Sequence, residues 1–121
     1  MTPGTYDLTV YRGDTYRYKF TLWMDTTRTL PVDLTNAVAK AEIRTKAGGE
    51  LLGAMQCTIT LPNIIDGLLD AETTKLLSPK GAVWDLQLAF GGDPPDDVKT
   101  ALAGVVTVTA DVTDSGGVPN G

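Results

Sequence analysis

Three aspartates, Asp93, Asp96 and Asp97, crowd one glycine- and proline-rich stretch, Gly91-Gly92-Asp93-Pro94-Pro95-Asp96-Asp97. They are the densest group of hard oxygen ligands in the chain, and Ca²⁺ takes about six to eight such ligands. Their spacing is not that of an EF-hand, and Pro94-Pro95 stiffens the backbone that would have to wrap an ion. A solvated acidic loop between two strands is the expectation, with no metal needed for folding. A paired-carboxylate hydrolase would need two acids facing one cleft, which spacing alone does not supply.

The other reactive residue types narrow the chemistry further. The chain contains no histidine. That removes Ser-His-Asp and Cys-His nucleophilic catalysis, histidine metal sites and the commonest general base. The single cysteine, Cys57, forms neither an internal disulfide nor a cysteine-rich zinc site. It sits in an alternating segment and reads as a small buried apolar residue rather than a nucleophile. Gly48-Gly49 and Gly91-Gly92 are not followed by the Lys-Ser/Thr of a phosphate-binding loop. Arg12-Gly13-Asp14 spells an integrin-type tripeptide, but its physical reading is a tight turn with Gly13 free to take positive φ. No catalytic, cofactor-binding or metal-ligating residue is assigned, and the expectation is a protein that is not an enzyme.

What is left is binding. Ten Lys+Arg against 15 Asp+Glu give a net charge of −5, without the basic footprint that a nucleic-acid phosphate backbone requires. No apolar run approaches the roughly 20 residues of a membrane-crossing helix, and Met1 to Asp7 lack the character of a signal peptide. Trp23 falls on the polar phase of its strand, with Tyr6 and Tyr11 near a sheet edge. Exposed aromatics of this kind anchor interfaces, because they bury much area at small entropic cost; the equal alternative is that Trp23 covers its own sheet edge under a loop.

These side chains need a scaffold. With 121 residues the chain suits one compact domain. Its 18 Thr against 3 Glu favour strands over helices, and its 13 Gly and 7 Pro supply turns. Strands are expected over about Tyr6 to Tyr11, Thr15 to Met24, Ala37 to Arg44, Leu51 to Leu61, Leu68 to Ala71, Val83 to Phe90 and Thr100 to Thr113. One short helix is expected over Ala71 to Leu77, cut off by Ser78-Pro79. Period-two alternation turns Tyr16, Tyr18, Phe20 and Leu22 inward, with Ala37, Ala39, Ala41 and Ile43 on the next strand. It does the same for Cys57, Ile59 and Leu61, for Trp84, Leu86, Leu88 and Phe90, and for Val106, Val108, Ala110 and Val112. Gly104 reads as a bulge in the last strand. The fold class is all-β: an antiparallel, immunoglobulin-like β-sandwich of about seven strands with one short helix. Its core contains Tyr18, Phe20, Leu22, Ile43, Leu86, Leu88, Val106 and Val108. The sandwich occupies residues 1–113, and 114–121 form a flexible tail in which Val118 and Pro119 are candidate contact residues.

The order of signals resembles a known family. Arg12-Gly13-Asp14-Thr15 and an aromatic-alternating strand precede Pro31-Val32-Asp33-Leu34-Thr35-Asn36 and Ala41-Glu42-Ile43-Arg44. Asp66-Gly67, a small helix, Val83-Trp84-Asp85-Leu86 and the run from Gly104 to Thr113 follow. This is similar to the LtfC-like β-sandwich family of tailed-phage virion proteins and, more distantly, to the N-terminal module of siphophage upper baseplate proteins. The resemblance covers nearly the whole chain up to Thr113. It implies a structural β-sandwich in a virion, a minor tail or tail-tip accessory protein made in the host cytoplasm. Its partners would be other virion proteins in a symmetric assembly, not nucleic acid, membrane or a small-molecule substrate. The chain's stopping soon after its last strand favours an accessory or adaptor role over direct host binding. A capsid head-decoration protein and a carbohydrate- or cell-surface-binding sandwich are the alternative readings.

Overall fold

Side chains alternate across each strand, so the phase of the large apolar residues decides which face turns inward. The protein is described by a computed structural model that covers residues 4–77, 80–92 and 94–110. Among the described residues, eight strands and one helix follow in the order β1 (Gly4–Thr5), β2 (Leu8–Tyr11), β3 (Tyr16–Thr21), β4 (Ala37–Arg44), β5 (Leu51–Thr60), β6 (Ile64–Leu69), α1 (Ala71–Lys75), β7 (Ala82–Phe90) and β8 (Asp97–Thr109). The strand order is β1-β8-β7-β4-β5-β6-β3, with β2 also on β8.

β5 divides this curled sheet into two layers. Its first half pairs with β4, from Leu51 to Met55, and its second half pairs with β6, from Gln56 to Thr60. The first layer therefore holds β1, β2, β8, β7, β4 and the start of β5, and the second holds the end of β5 with β6 and β3. β4-β7-β8 and β3-β6-β5 thus form the two layers of an all-β, sandwich-like fold.

The pairing is not antiparallel throughout. β1 and β2 run parallel to β8, with Gly4 opposite Leu102 and Leu8 opposite Val106. The chain crosses from this edge of the first layer into the second through Arg12-Gly13-Asp14, and the long connection from β2 to β8, which contains β3 to β7, is what permits their parallel pairing.

Phe20, Leu22, Ile43, Leu86, Leu88, Val106 and Val108 are buried as expected, while Tyr18 is half-buried at the margin of the core. Leu8, Val10, Leu34, Ile65 and Leu69 complete the interior. Some expectations are corrected. Leu61 lies past the end of β5 and is exposed. Ala110 follows the last β8 residue and is exposed too. β6 spans Ile64–Leu69, not Leu68 to Ala71, and β8 begins at Asp97, inside the expected acidic loop. The β8 irregularity falls opposite Leu86/Gln87, so Gly104 is not its bulge. Val112 and the tail with Val118 and Pro119 lie outside the described residues.

The short helix is fastened rather than merely attached. Asp70 caps it, its carboxylate accepting the Thr73 N–H at 2.8 Å. Thr74 is fully buried; its hydroxyl accepts the Gly13 N–H at 2.9 Å and donates to the Asp14 carbonyl at 2.8 Å. Thr74→Val keeps the shape and leaves the buried Gly13 N–H without this acceptor. The expected loss is about 1–3 kcal/mol in urea unfolding; an unchanged midpoint would mean that the helix contributes nothing to the Arg12–Asp14 crossover.

Candidate functional site

The motifs that suggest chemistry resolve mainly into structural roles. In Arg12-Gly13-Asp14, Gly13 is buried with φ +86°, the positive value anticipated for the turn. Arg12 donates through Nη2 to the Lys75 carbonyl at 2.8 Å, so its guanidinium caps the C-terminal end of α1. A receptor contact would have to compete with that cap. Cys57 is half-buried, and burial pushes its thiol pKa up, the reverse of what activates a nucleophile.

Two carboxylates of the acidic loop are engaged by their own neighbours. Asp96 packs against Gly91 and its backbone N–H donates to the Phe90 carbonyl at 2.8 Å, while Asp97 pairs with Lys99 at 3.5 Å. Asp93 lies outside the described residues. Among the described residues no three acidic or cysteine side chains converge on a point that could hold a metal ion. Unfolding midpoints measured with Ca²⁺ and with a chelator are expected to coincide, since a ligand bound only by the folded state must raise stability. A clear rise with Ca²⁺ would contradict this.

The three aromatic candidates occupy different settings. Tyr6 is partly exposed, yet its ring meets Tyr18, Phe20 and Trp84 edge-on, with centroids 5.4–6.4 Å away. Its carbonyl accepts the Trp84 Nε1–H at 2.6 Å. Tyr11 is 52% exposed at the end of β2, where its N–H donates to the Tyr16 hydroxyl at 2.9 Å. Trp23 is half-buried and bridged to Pro31, at the base of a loop rather than in the open. The loop above it is held by Asp25, whose carboxylate accepts from the Thr27 and Thr29 hydroxyls and the Thr29 and Leu30 N–H groups. Those bonds, that from Thr27 foremost, hold the Asp25 carboxyl well below the usual carboxylate range.

Sequence reading missed the outer face of the first layer. Val38, Ala89 and Val98 align across β4, β7 and β8. Val38 is 65% and Val98 53% exposed. Farther along the same face, Glu42 lies directly opposite Asp85, in a shallow recess of about 520 Å³ whose lining includes Arg44, Lys46, Val83 and Gln87. Arg44 bonds Glu42 at 2.9 Å and the Gly49 carbonyl at 2.9 Å. Arg44 thereby holds the Glu42 carboxyl low, whereas burial, and then the charge of Glu42, push Asp85 up. Asp85→Asn removes a like-charge pair, with an expected gain of about 0.5 kcal/mol at neutral pH. The sign follows from the raised folded-state pKa: ionised Asp85 costs stability above that pKa, and the cost vanishes as acid protonates it. Melting curves of both proteins should therefore differ at neutral pH and converge in acid; a gap unchanged in acid would contradict the charge origin.

Period-two alternation marks Val38 as outward, but not the neighbours it meets. No protein-family model and no curated protein sequence matches the chain.

Proposed function

We propose that this protein is a non-enzymatic structural component of a tailed-phage particle, a minor tail or tail-tip accessory protein acting through protein–protein contacts. The order of turn and strand motifs from Arg12 to Thr113 supports the phage setting. The observation that carries the contact role is the row Val38-Ala89-Val98, in register across three strands, with both valines exposed and Ala89 half-buried between them. Apolar side chains held in register on a rigid sheet face can present anchors to a neighbouring subunit. A carbohydrate-binding role draws less support, since Trp84 is buried and Trp23 half-buried rather than forming an open aromatic platform.

Incorporation tests this reading. Particles are produced with Val38→Asp/Val98→Asp or with Trp23→Ala, and copies per particle are measured by quantitative mass spectrometry. The double variant is expected to reduce incorporation by about tenfold or more, a loss within reach of a few interface anchors. Circular dichroism confirms that each variant is folded. Normal incorporation of the double variant would overturn the role given to the valine row.

A further inference from the structure

The second layer ends in an open strand edge. β3 pairs with β6 over all six residues from Tyr16 to Thr21, and no other strand among the described residues joins its far side. The N-terminal strands, which could have covered that edge, pair instead with β8 in the other layer. An unpaired row of backbone N–H and C=O groups is a template for another strand.

The side chains on this edge specify what could lie there. Arg17 and Lys19 project from the solvent face and are exposed. Neither forms an ion pair among the described residues, although the chain as a whole carries a net charge of −5. The inner face carries a ladder of rings: Tyr16 stacks on Tyr18 at 6.2 Å and Tyr18 on Phe20 at 5.9 Å. Tyr16 and Tyr18 are only half-buried, so apolar ring surface remains at the edge. Two copies of β3 are poor partners for each other. Antiparallel self-pairing in phase sets Arg17 and Lys19 of one copy against the same cations of the other. A one-residue slip would bring cations opposite the inward rings.

We propose that the β3 edge, Tyr16 to Thr21, takes an extended strand from another protein whose solvent-facing residues are acidic and whose inward residues are apolar. Carboxylates would face Arg17 and Lys19, and the apolar residues would pack on Tyr16 and Tyr18. This names a partner chemistry for the contact role proposed above and rests on it, but uses a different surface from the valine row.

The test uses the full chain and short synthetic peptides with blocked termini, one alternating Glu with Val and one alternating Lys with Val. A third is the Glu peptide with every backbone amide methylated, which keeps its charge but has no N–H group on either edge to complete a strand ladder. Binding is followed by fluorescence anisotropy, and amide exchange reports protection along residues 16–21. The Glu peptide is expected to bind about tenfold more tightly than the Lys peptide and to protect β3 amides, because two cross-strand charge pairs change from repulsive to attractive. Arg17→Glu/Lys19→Glu is expected to reverse the preference, and the methylated peptide to lose binding. Both substituted side chains are exposed. Lys19→Glu sets a like charge opposite Asp66 and lowers stability somewhat, so circular dichroism below the melting transition verifies the fold. Arg17→Gln/Lys19→Gln, which only neutralises the edge, should abolish the preference. Absence of binding, equal affinity for both charged peptides, full binding of the methylated peptide or unprotected β3 amides would each overturn the proposal. Any of these results beside normal incorporation into particles would remove the edge and leave the virion role standing.

Discussion

Replacing Phe20 with alanine is expected to cost about 3–5 kcal/mol, the range for truncating a buried phenylalanine. The ring is 4% exposed and reaches across the sandwich, stacking on Trp84 of the first layer with centroids 5.6 Å apart. It also meets Tyr6 edge-on at 5.4 Å, so one side chain joins β3, β7 and the N-terminal segment. A domain of this size has only about 5–15 kcal/mol in total. Urea unfolding measures the loss directly. Phe20→Leu, which keeps most of the volume, should cost less than about 1.5 kcal/mol. A loss below about 1 kcal/mol for Phe20→Ala would mean that β3 does not present this residue to the core.

Gly104→Ala should produce the second large effect, about 1–3 kcal/mol, by overfilling a site with no room for a methyl group. A Cβ at this position would collide with the carbonyl group of Tyr6 and come within 2.8 Å of the Asp7 carboxylate. The obstruction is mostly backbone, which cannot rotate aside. The same stretch is pinned by three hydrogen bonds: Tyr6 N–H to the Ala103 carbonyl at 3.0 Å, Trp84 Nε1–H to the Tyr6 carbonyl, and Val105 N–H to Asp7 at 3.0 Å. Accommodating the methyl group would displace Tyr6 and weaken these bonds together. Amide exchange at Tyr6 and Val105 should accelerate along with the fall in unfolding midpoint. A variant with unchanged stability and protection would show that the N-terminal segment does not sit this tightly on β8.

Both predictions indicate what a sequence can and cannot reveal. The inward phases of β3, β4 and β7 are legible because large apolar residues recur at every second position, and Phe20, Ile43 and Leu86 are buried accordingly. Alternation defines faces but not partners, so it could not announce that β1 and β2 lie parallel on β8. Asp66-Gly67 has the letters of a turn, yet both residues lie inside β6. Gly67 is there because Met55 fills the space above it, with Phe20 close by, where a Cβ would collide with the methionine sulfur. Gly104 read as a bulge for a similar reason: a missing side chain shows that space is needed, not which neighbour occupies it.

The candidate contact surfaces divide in the same way. Tyr6 and Tyr11 do lie at a sheet edge and keep exposed surface, whereas Trp23 is drawn into the base of the Asp25 loop. The valine row and the open β3 edge depend on inter-strand register and on which edges stay unpaired. Those are relations between distant segments, and no local pattern encodes them.

Location in the particle is the most direct test. Antibody raised against the folded domain, applied to purified particles and viewed by electron microscopy, is expected to label the tail or its tip. Label on the capsid exterior would contradict the tail assignment and favour head decoration. Absence of the protein from purified particles, verified by mass spectrometry, would contradict the virion role altogether.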